Sequence, residues 1–185
     1  MTRIIAGTAG GRKIETPPGE TTRPTSDRVR EALFSMLDAR GAVRGSRVLD
    51  LFAGSGALGL EAASRGAADV VLVDSSRQAV TVARRNAAVV GGPVTVVLSA
   101  ALRYLQRRPD RSMDLVFVDP PYAFAEPVLT EHLTALVTGG WLEPHALVVV
   151  ERSGRGSEPR WPAGLRRDQI RRYGETALWV SEISG

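Results

Sequence analysis

The chain contains no cysteine and a single lysine, Lys13, among its 185 residues. Without a thiol it can form neither a disulfide nor a zinc–thiolate site, and it lacks the cysteine nucleophile of pyrimidine carbon-5 methylation. A Walker A loop needs a lysine directly after its second glycine, and Lys13 does not occupy such a position. Ribose 2′-O-methyl transfer of the common Lys-Asp-Lys-Glu type is excluded for the same reason.

Histidines and long apolar runs are also scarce. His132 and His145 are the only histidines, so we expect no metal site. No run approaches 18 uncharged apolar residues, and the first 13 residues lack the apolar stretch of a signal peptide. We therefore expect a cytoplasmic protein with no membrane contact. The hydrophobic content of 43% is enough to form the core of one ordinary domain.

Positive charge is clustered in two regions of a chain whose formal net charge is +4. Residues 1–47 carry nine basic and five acidic side chains, and residues 152–172 carry seven arginines against two acids. Such clustering indicates a nucleic-acid footprint. The alternative is that arginine replaces lysine through genomic base composition, on solvated faces.

Apolar runs alternate with amphipathic segments along most of the chain. This pattern predicts an α/β fold with a doubly wound, mostly parallel sheet covered on both faces. Strands are predicted at 47–52, 69–73, 94–98, 114–118 and 146–150, and helices at 56–65, 77–90, 100–107 and 126–137. Residues 169–173 and 177–183 are predicted to form a closing antiparallel hairpin after a long loop at 153–164.

The N-terminal part has a different pattern. Residues 1–21 alternate apolar and polar side chains around glycines, which predicts a small β-hairpin extension. The remaining residues, 22–185, are expected to form the main domain. Its first helix is predicted from Asp27 to Asp38, capped by Ser26 or Thr25.

The most informative motif is Asp119-Pro120-Pro121-Tyr122, which directly follows the apolar strand 115–118. The two prolines stiffen this backbone. The Asp119 carboxylate and the Pro120 carbonyl can both accept hydrogen bonds from one exocyclic amine, and the Tyr122 ring can stack on a base. The alternative interpretation is a proline-rich turn that follows a strand.

A glycine-rich loop follows the strand that ends near Asp50. Gly54, Gly56 and Gly59 match G-x-G-x-x-G, so a nicotinamide dehydrogenase has to be considered. Asp50 argues against it, because a carboxylate there would repel a pyrophosphate. An acid beside a glycine loop instead suits a ligand that carries an ammonium and a sulfonium group. A glycine loop that merely turns strand into helix is the third possibility.

Three acids, Asp50, Asp74 and Asp119, fall at or near the carboxyl ends of predicted strands, where such sheets bind ligands. Asp74 is placed to accept the ribose hydroxyls of a nucleoside cofactor, although it is also a candidate N-cap for the next helix. Glu151 ends another predicted strand, where it could line the pocket, although we expect a solvated acid.

The glycine loop and the Asp-Pro-Pro-Tyr motif, about 60 residues apart in this order, resemble those of S-adenosylmethionine-dependent amino-methyltransferases. Further segments resemble the bacterial small-subunit rRNA guanine-N2 methyltransferases, the RsmD family, and the resemblance covers essentially the whole chain. These segments are Arg3-Ile4-Ile5-Ala6-Gly7, Gly11-Arg12-Lys13 and the run from Thr22 to Phe34. The chain departs from many relatives at Ala100, where a polar residue can contact the cofactor adenine.

The resemblance implies a Rossmann-like class I methyltransferase with a seven-stranded sheet. It implies S-adenosylmethionine as cofactor and a guanine N2 amine of 16S rRNA, in the 30S subunit or its assembly intermediate, as substrate; we expect a monomer. The predicted catalytic residues are Asp119, Pro120, Pro121 and Tyr122. The predicted cofactor-binding residues are Asp50, Phe52, Gly54, Ser55, Gly56, Asp74, Ser75, Ala100, Arg23 and Thr25. The predicted RNA-binding residues are Arg3, Arg12, Lys13, Arg28, Arg30 and Arg152, of which Arg28 and Arg30 are expected on a helix surface.

Two other functions remain open from the residues alone. Asp-Pro-Pro-Tyr accepts adenine, cytosine or guanine amines, so a DNA or RNA adenine/cytosine amino-methyltransferase is the first alternative. A non-catalytic nucleic-acid-binding domain on a methyltransferase fold is the second, although the intact motifs argue against it.

Overall fold

The computed structural model describes residues 1–18, 26–121 and 123–184, which form a seven-stranded sheet, a two-stranded hairpin and five helices. The strands are β1 (Thr2–Arg3), β2 (Lys13–Ile14), β3 (Arg47–Asp50), β4 (Asp69–Asp74), β5 (Val94–Leu98), β6 (Met113–Val118), β7 (Leu142–Ser153), β8 (Leu165–Tyr173) and β9 (Thr176–Ile183). The helices are α1 (Asp27–Ala39), α2 (Ala57–Ser64), α3 (Arg77–Val90), α4 (Ala101–Leu105) and α5 (Glu126–Thr138).

The large sheet has the strand order β5-β4-β3-β6-β7-β9-β8. The first five strands of this order are parallel, and β9 pairs antiparallel with both β7 and β8. The predicted doubly wound sheet with a terminal antiparallel hairpin is therefore confirmed, as is the small N-terminal hairpin formed by β1 and β2. From β3 the chain adds β4 and β5 on one side of the sheet and then β6 and β7 on the other. The switch point between β3 and β6 is where such folds bind ligands.

Helices cover both faces of the sheet, as the near-continuous apolar strands require. One hydrophobic cluster joins α1, α2, α3 and the N-terminal hairpin to one face of the sheet. A second cluster joins α4 and α5 to the other face. We call these the first face and the second face.

Strand β7 is longer than predicted. The sequence pattern predicted a strand at 146–150, whereas β7 runs from Leu142 to Ser153. The extra residues at its carboxyl end pair with β9, where Glu151 faces Leu178 and Ser153 faces Thr176. This extension buries Glu151, which is only 4% exposed, so the expectation of a solvated acid was wrong.

Helix α1 begins after the cap residue Ser26, whose hydroxyl accepts the N–H of Val29. Its buried stripe contains Val29, Arg30, Leu33, Phe34 and Leu37. The Arg30 side chain is fully buried and donates to the Arg3 carbonyl and, at 3.1 Å, to the carboxylate of Asp27. The expectation that Arg30 lies on the helix surface was therefore wrong.

The N-terminal segment packs tightly on α2. The two carboxylate oxygens of Glu61 accept the backbone N–H groups of Ile5 at 2.8 Å and Ala6 at 3.0 Å. A Cβ atom at Gly7, whose φ is +82°, would lie 1.9 Å from the carbonyl oxygen of Ser64. Only glycine fits this close backbone approach, so the N-terminal hairpin is fixed to the domain by α2.

Among the residues that the structure describes, no helix is long and apolar enough to cross a membrane.

Candidate functional site

Four acids lie at the carboxyl ends of neighbouring parallel strands. Asp74 ends β4, Asp50 ends β3, Asp119 follows β6, and Glu151 lies in β7. Asp50 pairs in register with Leu72 and with Phe117, so it lies two residues, roughly 6–7 Å, deeper than Asp74 and Asp119. The pairing of Val118 with Val150 places Glu151 level with Asp119.

Asp50 is a buried acid, only 1% exposed. Its Oδ2 accepts the N–H of Gly59 at 3.1 Å, in the first turn of α2, whose own cap residue Gly56 has no side chain to do so. Burial raises the pKa of Asp50 to about 7, a rise that the Gly59 and Phe52 N–H groups oppose and the charge of Asp74 increases. Oδ1 has no hydrogen-bond partner among the described residues.

The glycine loop is held by the acid at the end of the neighbouring strand. Asp74 accepts the N–H of Gly54 through Oδ2 and the N–H of Ser76 through Oδ1, both at 2.8 Å. Gly54 and Gly56 have φ angles of +54° and +83°, which are left-handed conformations that suit glycine. Asp74 is not the N-cap of α3, because Ser76 occupies that position and accepts the Ala79 N–H.

Sequence reasoning missed Asn86, which joins the glycine loop to the N-terminal hairpin. This buried α3 residue donates to the carbonyl of Ser55 at 2.8 Å and to that of Glu15 at 2.9 Å. Its Oδ1 also accepts the Glu15 N–H at 2.8 Å. No sequence pattern indicated this role, because the bonded residues lie 31 and 71 positions away in the chain.

The loop after β6 is anchored from two sides. The N–H of Phe124 donates to the carbonyl of Pro121 at 2.9 Å, which closes a turn. The Arg152 guanidinium donates from Nη2 to the carbonyl of Phe124 at 2.8 Å. Asp119 is half-buried and Pro120 is buried, whereas Tyr122 lies outside the described residues.

Aromatic side chains connect this loop to the strand that carries the glycine loop. The ring of Phe52, directly after β3, meets the ring of Phe124 edge-on at a centroid distance of 5.4 Å. His132 of α5 lies 5.7 Å from Phe52 and 5.2 Å from Phe124. Phe52 thus contacts the second face of the sheet, where it links the two loops by packing.

The other predicted cofactor residues are spread along the same edge. Ser55 is buried, Ser75 is exposed, and Ala100 is an exposed cap residue of α4 without a side-chain hydrogen bond. The hydroxyl of Ser99 donates to the Ala100 carbonyl at 3.0 Å. Arg23 and Thr25 lie outside the described residues.

The family model described as conserved hypothetical protein 95 matches residues 2–182. The chain belongs to this family. It is 38% identical to ribosomal RNA small subunit methyltransferase D of Escherichia coli K12 over 186 residues, which cover 99% of this chain and 91% of the relative. It is 32% identical to the putative rRNA methyltransferase YlbH of Bacillus subtilis over 187 residues, covering 99% and 100% of the two chains.

Solved structures of similar proteins share the fold. The putative methyltransferase yhhF of Escherichia coli superposes with a TM-score of 0.85 at 37% identity, covering 99% of this chain and 98% of the other. Magnesium protoporphyrin IX methyltransferase of Synechocystis, solved with bound S-adenosylmethionine, has a TM-score of 0.66 at 17% identity, with coverages of 85% and 79%. At that identity it shows the Rossmann-like methyltransferase fold alone.

In this methyltransferase-family chain, the predicted RNA-binding residues are placed unequally. Lys13 and Arg28 are exposed, and neither has an ion pair within the ranges that the structure describes. Arg3 is exposed and lies 3.8 Å from Asp27, and the exposed Arg12 donates to the carbonyl of Val89. Arg30 cannot reach a phosphate because it is buried.

Arg152 is half-buried and faces the loop that follows β6. Its Nη1 is buried and has no hydrogen-bond partner among the described residues. Because Nη2 donates to the Phe124 carbonyl, Arg152 holds the loop that follows β6 in this structure rather than extending into solvent.

The basic segment 152–172 divides into two parts. Arg166 pairs with Glu182 at 2.6 Å and Arg167 pairs with Glu158 at 2.8 Å, so these charges are compensated. Arg171 faces Leu178 of β9, which in turn faces Glu151 of β7. No ion pair of Arg171 is found in the described part of the chain, so it carries uncompensated charge at the edge where the acids converge.

Within residues 1–18, 26–121 and 123–184, no group of three or more histidine, aspartate or glutamate side chains is arranged to hold a metal ion.

Proposed function

We propose that this protein transfers a methyl group from S-adenosylmethionine to the N2 amine of a guanine in small-subunit rRNA. The observation that carries the proposal is the position of Asp119-Pro120 across the β3/β6 switch point from the glycine loop. That arrangement brings an amine-binding motif next to a nucleoside-binding motif. The name of the Bacillus subtilis relative supports rRNA as the substrate, and the name of the Escherichia coli relative supports rRNA of the small subunit.

The residues at the end of β3 and β4 fit the cofactor. Asp50 has a buried oxygen, Oδ1, without a hydrogen-bond partner in the described chain, and a cationic methionyl end would compensate this carboxylate. Gly54 and Gly56 leave the backbone accessible beside it. Each carboxylate oxygen of Asp74 accepts one backbone N–H and keeps a lone pair for a ribose hydroxyl.

S-adenosylmethionine, when bound, supplies a methyl group already activated by a sulfonium. The chain then mainly has to position the acceptor amine. The Asp119 carboxylate and the Pro120 carbonyl accept the two amine hydrogens, which favours a tetrahedral nitrogen with its lone pair directed at the methyl carbon. Asp119 does not need to remove a proton first, because the amine becomes acidic once it is alkylated, and the Asp119 carboxylate can then accept the extra proton. Tyr122 is proposed to hold the plane of the base.

The proposed substrate is a structured RNA, in the 30S particle or its assembly intermediate, bound by a cytoplasmic monomer. Lys13, Arg28 and Arg171 supply exposed charge on both sides of the site. Phosphate contacts from these side chains would cover more RNA than the binding of a single flipped base requires.

The proposal is tested by transfer of labelled methyl groups to methyl-free 30S subunits, naked rRNA and DNA, followed by mass spectrometry of the nucleosides. We expect N2-methylguanosine from 30S particles. Asp119→Ala should abolish transfer while S-adenosylhomocysteine affinity stays within a few fold, and Asp110→Ala, in an exposed loop, is the matched control. Methyladenine or methylcytosine as product, or transfer to DNA only, would show that the adenine/cytosine alternative is correct. Absence of both transfer and cofactor binding would favour the non-catalytic alternative.

A further inference from the structure

Glu151 is a buried carboxylate at the acceptor end of the sheet. It is 4% exposed, and strand alternation places it on the first face with Val149, since Val148 and Val150 belong to the second face. Because Val150 pairs with Val118, Glu151 is level with Asp119 on the adjacent strand, about 4.8 Å away in the sheet direction.

Asp119 is the first residue after β6, and continuing the alternation of Phe117 on the first face and Val118 on the second directs Asp119 to the first face. Two carboxylates are thus brought to neighbouring positions with the same orientation. Like charges at such a separation favour a ligand that donates hydrogen bonds to both. An adjacent pair of acceptors is complementary to an adjacent pair of donors.

Guanine presents such a pair of donors. Its N2 amine is next to N1–H on the ring, whereas the ring nitrogen beside the amine of adenine or cytosine is an acceptor. If Asp119 and the Pro120 carbonyl fix the amine, the site can distinguish these bases by the adjacent ring nitrogen, which is a donor in guanine and an acceptor in adenine and cytosine. A carboxylate attracts N1–H and repels an acceptor.

We propose that Glu151 is the residue that selects guanine, by accepting N1–H while Asp119 holds the N2 amine. This rests on the proposed guanine-N2 transfer and deepens it, because Asp-Pro-Pro-Tyr by itself fits any of the three amines. Glu151 acts on base identity and does not contact the cofactor.

The test compares guanine with 2-aminopurine, which keeps the C2 amine but has an acceptor at N1. Once the methylated guanine is mapped, 30S subunits are reconstituted from rRNA ligated to carry 2-aminopurine at that position. The wild-type protein should show kcat/KM roughly 10⁴-fold lower for 2-aminopurine, as expected for a site built to bind a donor. Glu151→Gln can donate to N1, so this preference should shrink by about tenfold or more.

Loss of O6 in 2-aminopurine affects the wild type and the variant equally, so the change in preference isolates the N1 contact. Glu151→Ala should slow transfer to guanine and lose the preference, with unchanged S-adenosylhomocysteine affinity and melting temperature within a few degrees. Glu182→Gln, on β9 and paired with Arg166, is the matched control and should keep the wild-type preference.

An unchanged preference in both Glu151 variants would overturn the proposal. So would loss of cofactor binding along with transfer in both variants, because Glu151 would then support the fold. Failure of the underlying function is recognised separately, since the wild-type protein would then form no N2-methylguanosine in unmodified particles.

Discussion

The side-chain amide of Asn86 donates to the carbonyl oxygen of Ser55, in the middle of the glycine loop, at 2.8 Å. The same amide bonds both backbone groups of Glu15, directly after β2. One side chain therefore fixes the glycine loop relative to the N-terminal hairpin. Loss of the Asn86 side chain is therefore expected to loosen both the glycine loop and the N-terminal hairpin.

Asn86→Ala should weaken S-adenosylhomocysteine binding and lower stability by about 2–4 kcal/mol, because it removes hydrogen bonds from buried backbone groups. Calorimetry gives the affinity and urea unfolding gives the stability. Gln78→Ala, an exposed amide on the same helix, is the control and should change neither. An affinity equal to that of wild type in Asn86→Ala would mean that the loop keeps its conformation without this link.

Glu61→Ala should release the N-terminal segment and destabilise the protein by about 3–5 kcal/mol. The change leaves the buried Arg30 guanidinium with Asp27 as its one remaining carboxylate partner in the described chain, and it removes the acceptor of two N–H groups. Amide exchange should accelerate at Ile5 and Ala6 more than in β6. The control is Glu131→Ala, an exposed acid of α5; equal exchange rates in both variants would contradict this role of Glu61.

The buried Asp50 makes stability depend on pH. Its pKa is raised from 3.8 to about 7 in the folded protein, so the folded state binds the extra proton between these values. The contribution of Asp50 is therefore favourable below about pH 4 and is lost as the pH rises through 7. The loss amounts to a few kcal/mol, at roughly 1.4 kcal/mol for each pKa unit.

Unfolding of wild type and Asp50→Asn by urea between pH 4 and 8 measures this term. The stability difference should move in favour of the variant as the pH rises. S-adenosylmethionine carries a net positive charge, and a cation beside Asp50 lowers the pKa of this carboxyl group, so wild-type S-adenosylmethionine affinity should also increase from pH 6 to 8. A pH-independent stability difference would show that Asp50 does not titrate in this range.

Arg171 and Arg166 should contribute differently to RNA binding. Arg171→Ala should reduce the salt dependence of 30S binding by about 0.7–0.9 in log–log slope, the amount expected for one phosphate contact. Arg166→Ala is the matched control on the same strand, because Arg166 is paired with Glu182. Equal slopes for the two variants would contradict the inference that Arg171 contacts a phosphate whereas the ion-paired Arg166 does not.

These point changes are preferable to removal of residues 1–20. Ile4 and Ile14 are buried in the core, and Glu61 needs Ile5 and Ala6 as partners. A truncated chain would lose stability as well as any RNA contact, so its failure to bind RNA would not be informative.

The fold was predictable because apolar runs and turn residues are local signals. Helix α3 and strand β5 begin and end where the pattern predicted, at 77–90 and 94–98. The end of β7 was not predictable, because Glu151 is buried by pairing with β9, which lies later in the chain.

The misplacement of Arg30 had a different origin. Its spacing to Phe34 and Leu37 puts it on the buried stripe of α1, so the helical repeat predicts burial. The positive charge of Arg30 indicates the opposite, a position on the surface. Asn86 also lies on the buried stripe of its helix, three residues after Ala83 and four before Val90, but the spacing does not predict the partners of Asn86 or of Glu61. Their partners are backbone groups of distant segments, and a single sequence does not show which segments meet.

The position of β9 between β7 and β8 has a consequence for synthesis. Strand β8 leaves the ribosome before β9, which is its only strand partner in the described part of the chain. Until β9 follows, β8 is an unpaired strand that can associate with other chains. Its arginines at 166, 167, 171 and 172 give this strand a concentration of positive charge, which opposes pairing between two identical nascent chains.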